Sequence, residues 1–250
     1  MVELKRWSEI KLKADSVKTS YFPSSQDTLK VVRYYKESDC DLVEQYYSNG
    51  QIQSRCCYKN KYYRTDTCAE WYKSGKIQSL DFYIDDRPRG GKTWYEDGKI
   101  ECEDIINDTL AISKCYYPNG LIKSEDSLDS ESYVSGYKRK WHPNGKLDYN
   151  MVIGRGIQKL EIFYPNGRHA GIGKYIDNPL YLIGDQFEYY DNGQMLMEEH
   201  YKETTNWREA RYRIGKWKYW NREGKLIKIE FYKNNELVKT KDFLTEKTKE

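Results

Sequence analysis

The side chains of this 250-residue chain with the chemistry for catalysis or metal binding are three histidines and six cysteines, and two Gly-x-Gly triplets invite a phosphate-loop reading. His142, His169 and His200 form no H-x-x-x-H spacing, and no acid pair at ligand spacing accompanies them, so neither a zinc site nor a catalytic triad is expected. Cys40, Cys56, Cys57, Cys68, Cys102 and Cys115 all fall in the first half and make no C-x-x-C. Neighbours in a strand point to opposite faces, so Cys56 and Cys57 cannot chelate one ion together. Reduced, partly buried thiols in a cytoplasmic protein are the expectation. Gly154-Arg155-Gly156 and Gly171-Ile172-Gly173 lie on or just after strand-like stretches rather than ahead of a helix, which fits turns and bulges better than a phosphate cradle. Asn107-Asp108-Thr109 matches a glycosylation sequon, which matters only in a protein secreted by a eukaryote. No cofactor and no metal are expected, and no enzyme.

Composition narrows the partners. Forty-two basic against 39 acidic residues leave a net charge of +3, with no basic block or stripe, so nucleic acid is excluded and a membrane surface is not favoured. No segment approaches the ~18 apolar residues of a membrane span, and the first residues show no apolar core of signal-peptide length. Aromatics at 15%, 25 of them tyrosine, beside 32% charged residues suit thin β-structure with one wet side per strand and argue against disorder.

The elements that must position these residues announce themselves by repetition. A phrase of two aromatics, two polar residues, a glycine, any residue and an aliphatic recurs eight times, from Tyr46-Tyr47-Ser48-Asn49-Gly50-Gln51-Ile52 to Trp220-Asn221-Arg222-Glu223-Gly224-Lys225-Leu226. The glycines are Gly50, Gly75, Gly98, Gly120, Gly145, Gly167, Gly193 and Gly224, spaced by 25, 23, 22, 25, 22, 26 and 31 residues. Such a period marks a repeat architecture that grows by adding units.

Counting from each glycine, position −4 is aromatic throughout: Tyr46, Trp71, Trp94, Tyr116, Trp141, Phe163, Tyr189 and Trp220. Position +2 is aliphatic or Met except for His169, and −1 is Asn in five copies. Asn-Gly after an aromatic strand end predicts a hairpin with a three-residue loop, the glycine taking φ > 0. That geometry sets −3 opposite +1 and −4 opposite +2, so the −4 aromatic column is expected to be structural. The return strand ends at +8, at Tyr58, Tyr83, Ile106, Leu128, Ile153, Tyr175, Tyr201 or Tyr232. Acids at +6 (Asp81, Asp104, Asp126, Glu199, Glu230) and apolar residues of opposite parity (Leu80, Phe82, Ile229, Phe231) leave two alternatives, a bulge or two partly covered faces. A degenerate copy at residues 21–29, with a return strand from Leu29 to Tyr35, starts the array. The predicted fold is all-β: one elongated, twisted antiparallel sheet of eight or nine consecutive hairpins over residues 21–238. Residues 1–20 form an N-terminal cap and 239–250 a charged tail, and helix is confined to the ends.

Position −3 holds Tyr47, Tyr72, Tyr95, Tyr117, Tyr164 and Tyr190, with His142 in the same column and the cations Lys76, Lys99, Arg168 and Lys225 at +1. His142 and His169 therefore read as drifted repeat positions. The tyrosines either suit half-exposed strand ends or form a ladder that grips a partner, tyrosine being a preferred interface residue.

With the columns laid out, the chain resembles the variant MORN-repeat family. Gly215-Lys216-Trp217-Lys218-Tyr219-Trp220 through Gly224-Lys225-Leu226 and on to Tyr232 carries that family's pattern most fully, while the leading Gly-Lys is missing before Tyr46 and Trp141. The resemblance implies a sheet of hairpins and a non-enzymatic binding protein, with bacterial members often serving as antitoxins or immunity proteins. It transfers no residue-specific role. The leading expectation is therefore a protein-binding scaffold that neutralises a cognate toxin, the alternative being a carbohydrate, cell-wall or membrane-surface binder.

Overall fold

A computed structural model describes residues 15–21, 28–34, 40–60, 62–107, 109–129, 135–154, 156–176 and 178–243. The loop of the degenerate first copy, Arg155 and the end of the charged tail lie outside the described residues. The described residues are mostly antiparallel strand, and the chain divides into two units, residues 1–108 with 113–120 and residues 109–112 with 121–250.

The first unit carries β1 (Ser16–Tyr21), β2 (Thr28–Tyr34), β3 (Asp41–Tyr46), β4 (Ile52–Lys59), β5 (Tyr63–Trp71), β6 (Ile77–Ile84), β7 (Arg87–Trp94) and β8 (Ile100–Ile106). β9 (Leu110–Tyr116) is divided between the units. The second carries β10 (Ile122–Asp129), β11 (Gly136–Trp141), β12 (Leu147–Gly154), β13 (Ile157–Phe163), β14 (His169–Ile176), β15 (Asn178–Tyr189), β16 (Met195–His200), β17 (Gly215–Trp220), β18 (Leu226–Lys233) and β19 (Glu236–Asp242). Within each unit every strand pairs antiparallel with its sequence neighbours, so each sheet is open and built of consecutive hairpins.

The repeat turns follow their predicted chemistry. The eight loop glycines sit at φ between +80° and +90°, a region costly for residues with a Cβ. The −3 and +1 residues close seven of the eight loops, as in Tyr72 N–H to Lys76 O at 2.8 Å, and in all eight the glycine N–H bonds back to the −3 carbonyl. Position −4 stands opposite +2 wherever both strands lie in one unit: Tyr46 with Ile52, Trp71 with Ile77, Trp94 with Ile100, Trp141 with Leu147, Phe163 with His169, Tyr189 with Met195 and Trp220 with Leu226. In each of these hairpins the register then shifts between −5 and −4, so −5 faces +4 and the +3 residue is extra, as where Gln45 faces Ser54. This bulge accounts for the broken parity of the return strands.

Two features differ from expectation. Strand reaches further toward both ends: β1 pairs with β2 from Ser16↔Tyr34 to Tyr21↔Thr28, and β19 runs into the charged tail as far as Asp242. The helical turn among the described residues is internal, a 3₁₀ turn at Trp207–Glu209 inside the longest inter-glycine interval. Asn206 caps it by accepting from Arg208 N–H, and Lys202 bonds Glu209 at 2.8 Å, so local polar contacts order an insertion too long for a hairpin.

Full burial lies away from the loops. The −4 rings are half-buried, whereas Leu42, Cys57, Cys68 and Ala69 in the first unit and Ile176, Ile183, Tyr201, Trp217 and Tyr232 in the second are buried. Trp217, at −7, lies between Tyr201 and Tyr232 with ring centroids 5.1 and 4.7 Å away, and its Nε1–H bonds the His200 carbonyl. Buried Glu44 is held by Arg55 at 2.6 Å and accepts from the Tyr46 hydroxyl at 3.0 Å, which compensates its loss of water.

Candidate functional site

Within each unit the −3 column is wired from one repeat to the next. In the first unit the Tyr47 hydroxyl donates to the Trp71 carbonyl at 3.0 Å, Tyr72 to Trp94 at 2.8 Å and Tyr95 to Tyr116 at 2.7 Å. In the second, Tyr164 donates to Tyr189 at 2.8 Å and Tyr190 to Trp220 at 3.1 Å. The acceptor is each time the −4 aromatic of the following copy. A carbonyl at the end of a strand is thus bonded by the side chain of the preceding repeat. His142 makes the same link, its Nε2 lying 3.0 Å from the Phe163 carbonyl and donating to it, so it is a repeat position with a changed donor. Tyr117 is half-buried like the rest of the column. Burial first, and Glu101 next, hold the Tyr72 and Tyr95 phenols above their ordinary pKa.

The loop residues add two further links. The −1 asparagine accepts its own +1 N–H through Oδ1 and donates through Nδ2 to the −2 carbonyl of the next loop: Asn144 to Pro165, Asn166 to Asp191 and Asn192 to Arg222, each at 2.7 Å. The +1 cations reach the next loop as well, at its −2 or −1 carbonyl. Lys76 donates to Glu96 O and Lys99 to Pro118 O at 2.7 Å, Lys146 to Asn166 O at 2.5 Å, and Arg168 to the Asn192 carbonyl. Of the cations expected to flank the ladder, Lys76, Lys99 and Arg168 are thus committed to neighbouring loops. What the column offers outward is half-buried ring surface on a stiffened row of hairpins.

His169 stacks at 4.5 Å on Phe163, its cross-strand partner, which suits a drifted aliphatic position. His200 sits in an arrangement that sequence spacing did not reveal: Nδ1 is 2.7 Å from Asp185 and Nε2 3.0 Å from Glu198, which also takes Lys218 at 2.9 Å. Both ring nitrogens of His200 thus face carboxylates, and no group of three or more metal-ligating side chains occurs among the described residues. Gly156 turns the β12–β13 hairpin at φ +80°, and Gly173 falls at a register shift between β14 and β15, so the Gly-x-Gly triplets are a turn and a bulge.

The cysteines correct the expectation of reduced thiols. Cys56 pairs with Cys68, Cys40 with Cys57 and Cys102 with Cys115, at Cα separations of 4.2, 5.3 and 4.0 Å. No cysteine is left free. For the first of these pairs register is the reason, because antiparallel pairing sets Cys56 directly opposite Cys68. Cys56 and Cys57 straddle a register shift between β4 and β5 and bond to different partners.

Known proteins resemble this chain at the level of the repeat. Residues 42–60, 182–203 and 213–234 match the model of the MORN repeat variant. Between the first two matched segments, the hairpins that turn at Gly75, Gly98, Gly145 and Gly167 share the same turn, bulge and −3 link. No curated protein matches significantly. Among solved structures, "Crystal Structure of TcdB2-TccC3-TEV" is similar at 8% identity and a TM-score of 0.20, over 88% of this chain and 14% of that one. "Crystal Structure of TcdB2-TccC3 without hypervariable C-terminal region" is similar at 10% identity and a TM-score of 0.21, over 79% of this chain and 15% of that one. This chain thus spans about one seventh of the length of those chains.

Proposed function

We propose that this protein is a non-enzymatic repeat scaffold that binds another protein, and that the partner is a toxin it neutralises as an antitoxin or immunity protein. The observation that carries the scaffold reading is the repeat-to-repeat wiring. Within each unit, tyrosine, asparagine and lysine side chains fix hairpins to their successors, which pre-organises a broad surface and lowers the ordering cost of binding. The ring faces of Tyr47, Tyr72, Tyr95, Tyr117, Tyr164 and Tyr190 are the part of the ladder that a partner would cover, since most of their hydroxyls serve the scaffold. The toxin reading adds occlusion of an active site over an extended interface, on the order of 1,200–2,000 Å². The three cysteine pairs support an oxidising compartment over the cytoplasm expected from the sequence.

Affinity capture from the native cell with the immobilised chain tests the reading. A single protein retained at stoichiometric level, whose toxicity falls when the chain is co-expressed, is the expected result. Retention of glycan or lipid alone would overturn it.

A further inference from the structure

The second unit contains a groove that the repeat pattern does not account for. It is a cavity of about 280 Å³ open along one face of β13 to β16, lined chiefly by Leu160, Ile162, Gly171, Glu188, Met197 and Glu199. Register explains it. Ile162, Gly171, Glu188 and Met197 stand in one line across the four strands. The next line runs from Leu160 to Gly173 on one side and from Gln186 to Glu199 on the other. Both positions on β14 are glycine, but their surroundings differ. Over Gly173 the space is taken by the buried Gln186 amide, which lies 1.8 Å from where a Cβ would stand and donates to Lys174 O and Ile183 O. Over Gly171 it is open, a Cβ meeting only a backbone oxygen at 3.6 Å. A lane one side chain wide therefore lies between Ile162 and Glu188.

The lane has apolar walls and an acidic side. Among the described residues neither Glu188 nor Glu199 forms an ion pair. Glu199 accepts only the Tyr201 hydroxyl, at 2.9 Å. Burial raises the pKa of both carboxyls, so each would be relieved by an incoming cation.

We propose that this groove receives a lysine or arginine side chain projecting from the protein partner, its methylene stem lying over Gly171 and its charge meeting Glu188 and Glu199. The proposal rests on the protein-binding reading and names one anchor of it. An apolar stem ending in a cation is the chemistry that fits both the walls and the acids.

The test uses the full chain with methyl-labelled methionine, titrated with Nα-acetyl-lysine N-methylamide and, as the uncharged control, the corresponding norleucine amide. The expected result is a saturable shift of the Met197 methyl with the lysine compound, and binding about tenfold weaker or worse for norleucine. Gly171→Val, which fills the lane at a strand position with room for a Cβ, and Glu188→Gln, which keeps the shape and removes the charge, should each weaken the lysine compound about tenfold. Equal binding of both compounds, no shift at Met197, or lysine binding unchanged in both variants would overturn the proposal. A partner captured equally by the parent and by Gly171→Val would overturn it while leaving the scaffold reading intact. Lysine binding in a chain that captures no protein would instead overturn the scaffold reading and leave the site.

Discussion

Replacing Tyr72 and Tyr95 together with phenylalanine removes two repeat-to-repeat hydrogen bonds and leaves the rings in place. The bonds are 2.8 and 2.7 Å long and only partly buried, so water replaces part of what each provides. A net contribution of about 1 kcal/mol per bond follows, and about 2 kcal/mol for the pair if the two act independently. Urea unfolding followed by tryptophan emission measures it, since Trp71 and Trp94 lie in the same unit as both substitutions. Tyr62→Phe is the control: this ring is 78% exposed, and its loss of a hydroxyl should change stability by less than about 0.5 kcal/mol. The pH dependence has a definite sign. Both phenols are raised above 10 in the folded chain, so their neutral forms are favoured by folding. That contribution is fully present below about pH 10 and is lost as pH rises through the raised values, and the double variant should lack that loss. A double variant as stable as Tyr62→Phe would refute the wiring.

Trp217→Ala should cost about 3–5 kcal/mol in the second unit, measured by the same unfolding, because a buried ring between Tyr201 and Tyr232 leaves a cavity. Asp126 is half-buried and burial raises its pKa despite Lys138, so its ionised form weakens the fold at neutral pH. Asp126→Asn should therefore be more stable than the parent at pH 7, with the difference shrinking as pH falls toward about 4, where the unfolded carboxyl also takes up its proton. The protein purified from its native compartment should show no alkylatable thiol until it is reduced, as mass spectrometry before and after reduction would record.

The turn and its immediate pairing were legible in the sequence because they are local. Asn-Gly fixes the loop, the loop fixes −4 against +2, and an eightfold column averages out drift such as His169. The bulge was visible only as a broken parity, since period-2 reasoning cannot say where an extra residue sits. The links of the −3 tyrosines escaped because their acceptors are backbone carbonyls about two dozen residues away, which leave no mark on residue type. The cysteine pairs needed a cross-strand register that spacing alone does not supply. For the groove, Gly171 was noticed as part of a triplet, but its meaning depends on Ile162, Glu188 and Met197 being aligned on three other strands. The depth of burial was also not local: Trp217, at −7, is core, while the conspicuous −4 rings are half-covered.

Hydrogen exchange of the chain, free and bound to its captured partner, tests the scaffold claim most directly. Binding over a stiffened row of hairpins predicts added protection on several consecutive repeats, with the −3 and −4 positions of neighbouring copies protected together. Protection confined to a single loop, or none beyond the free chain, would contradict the account.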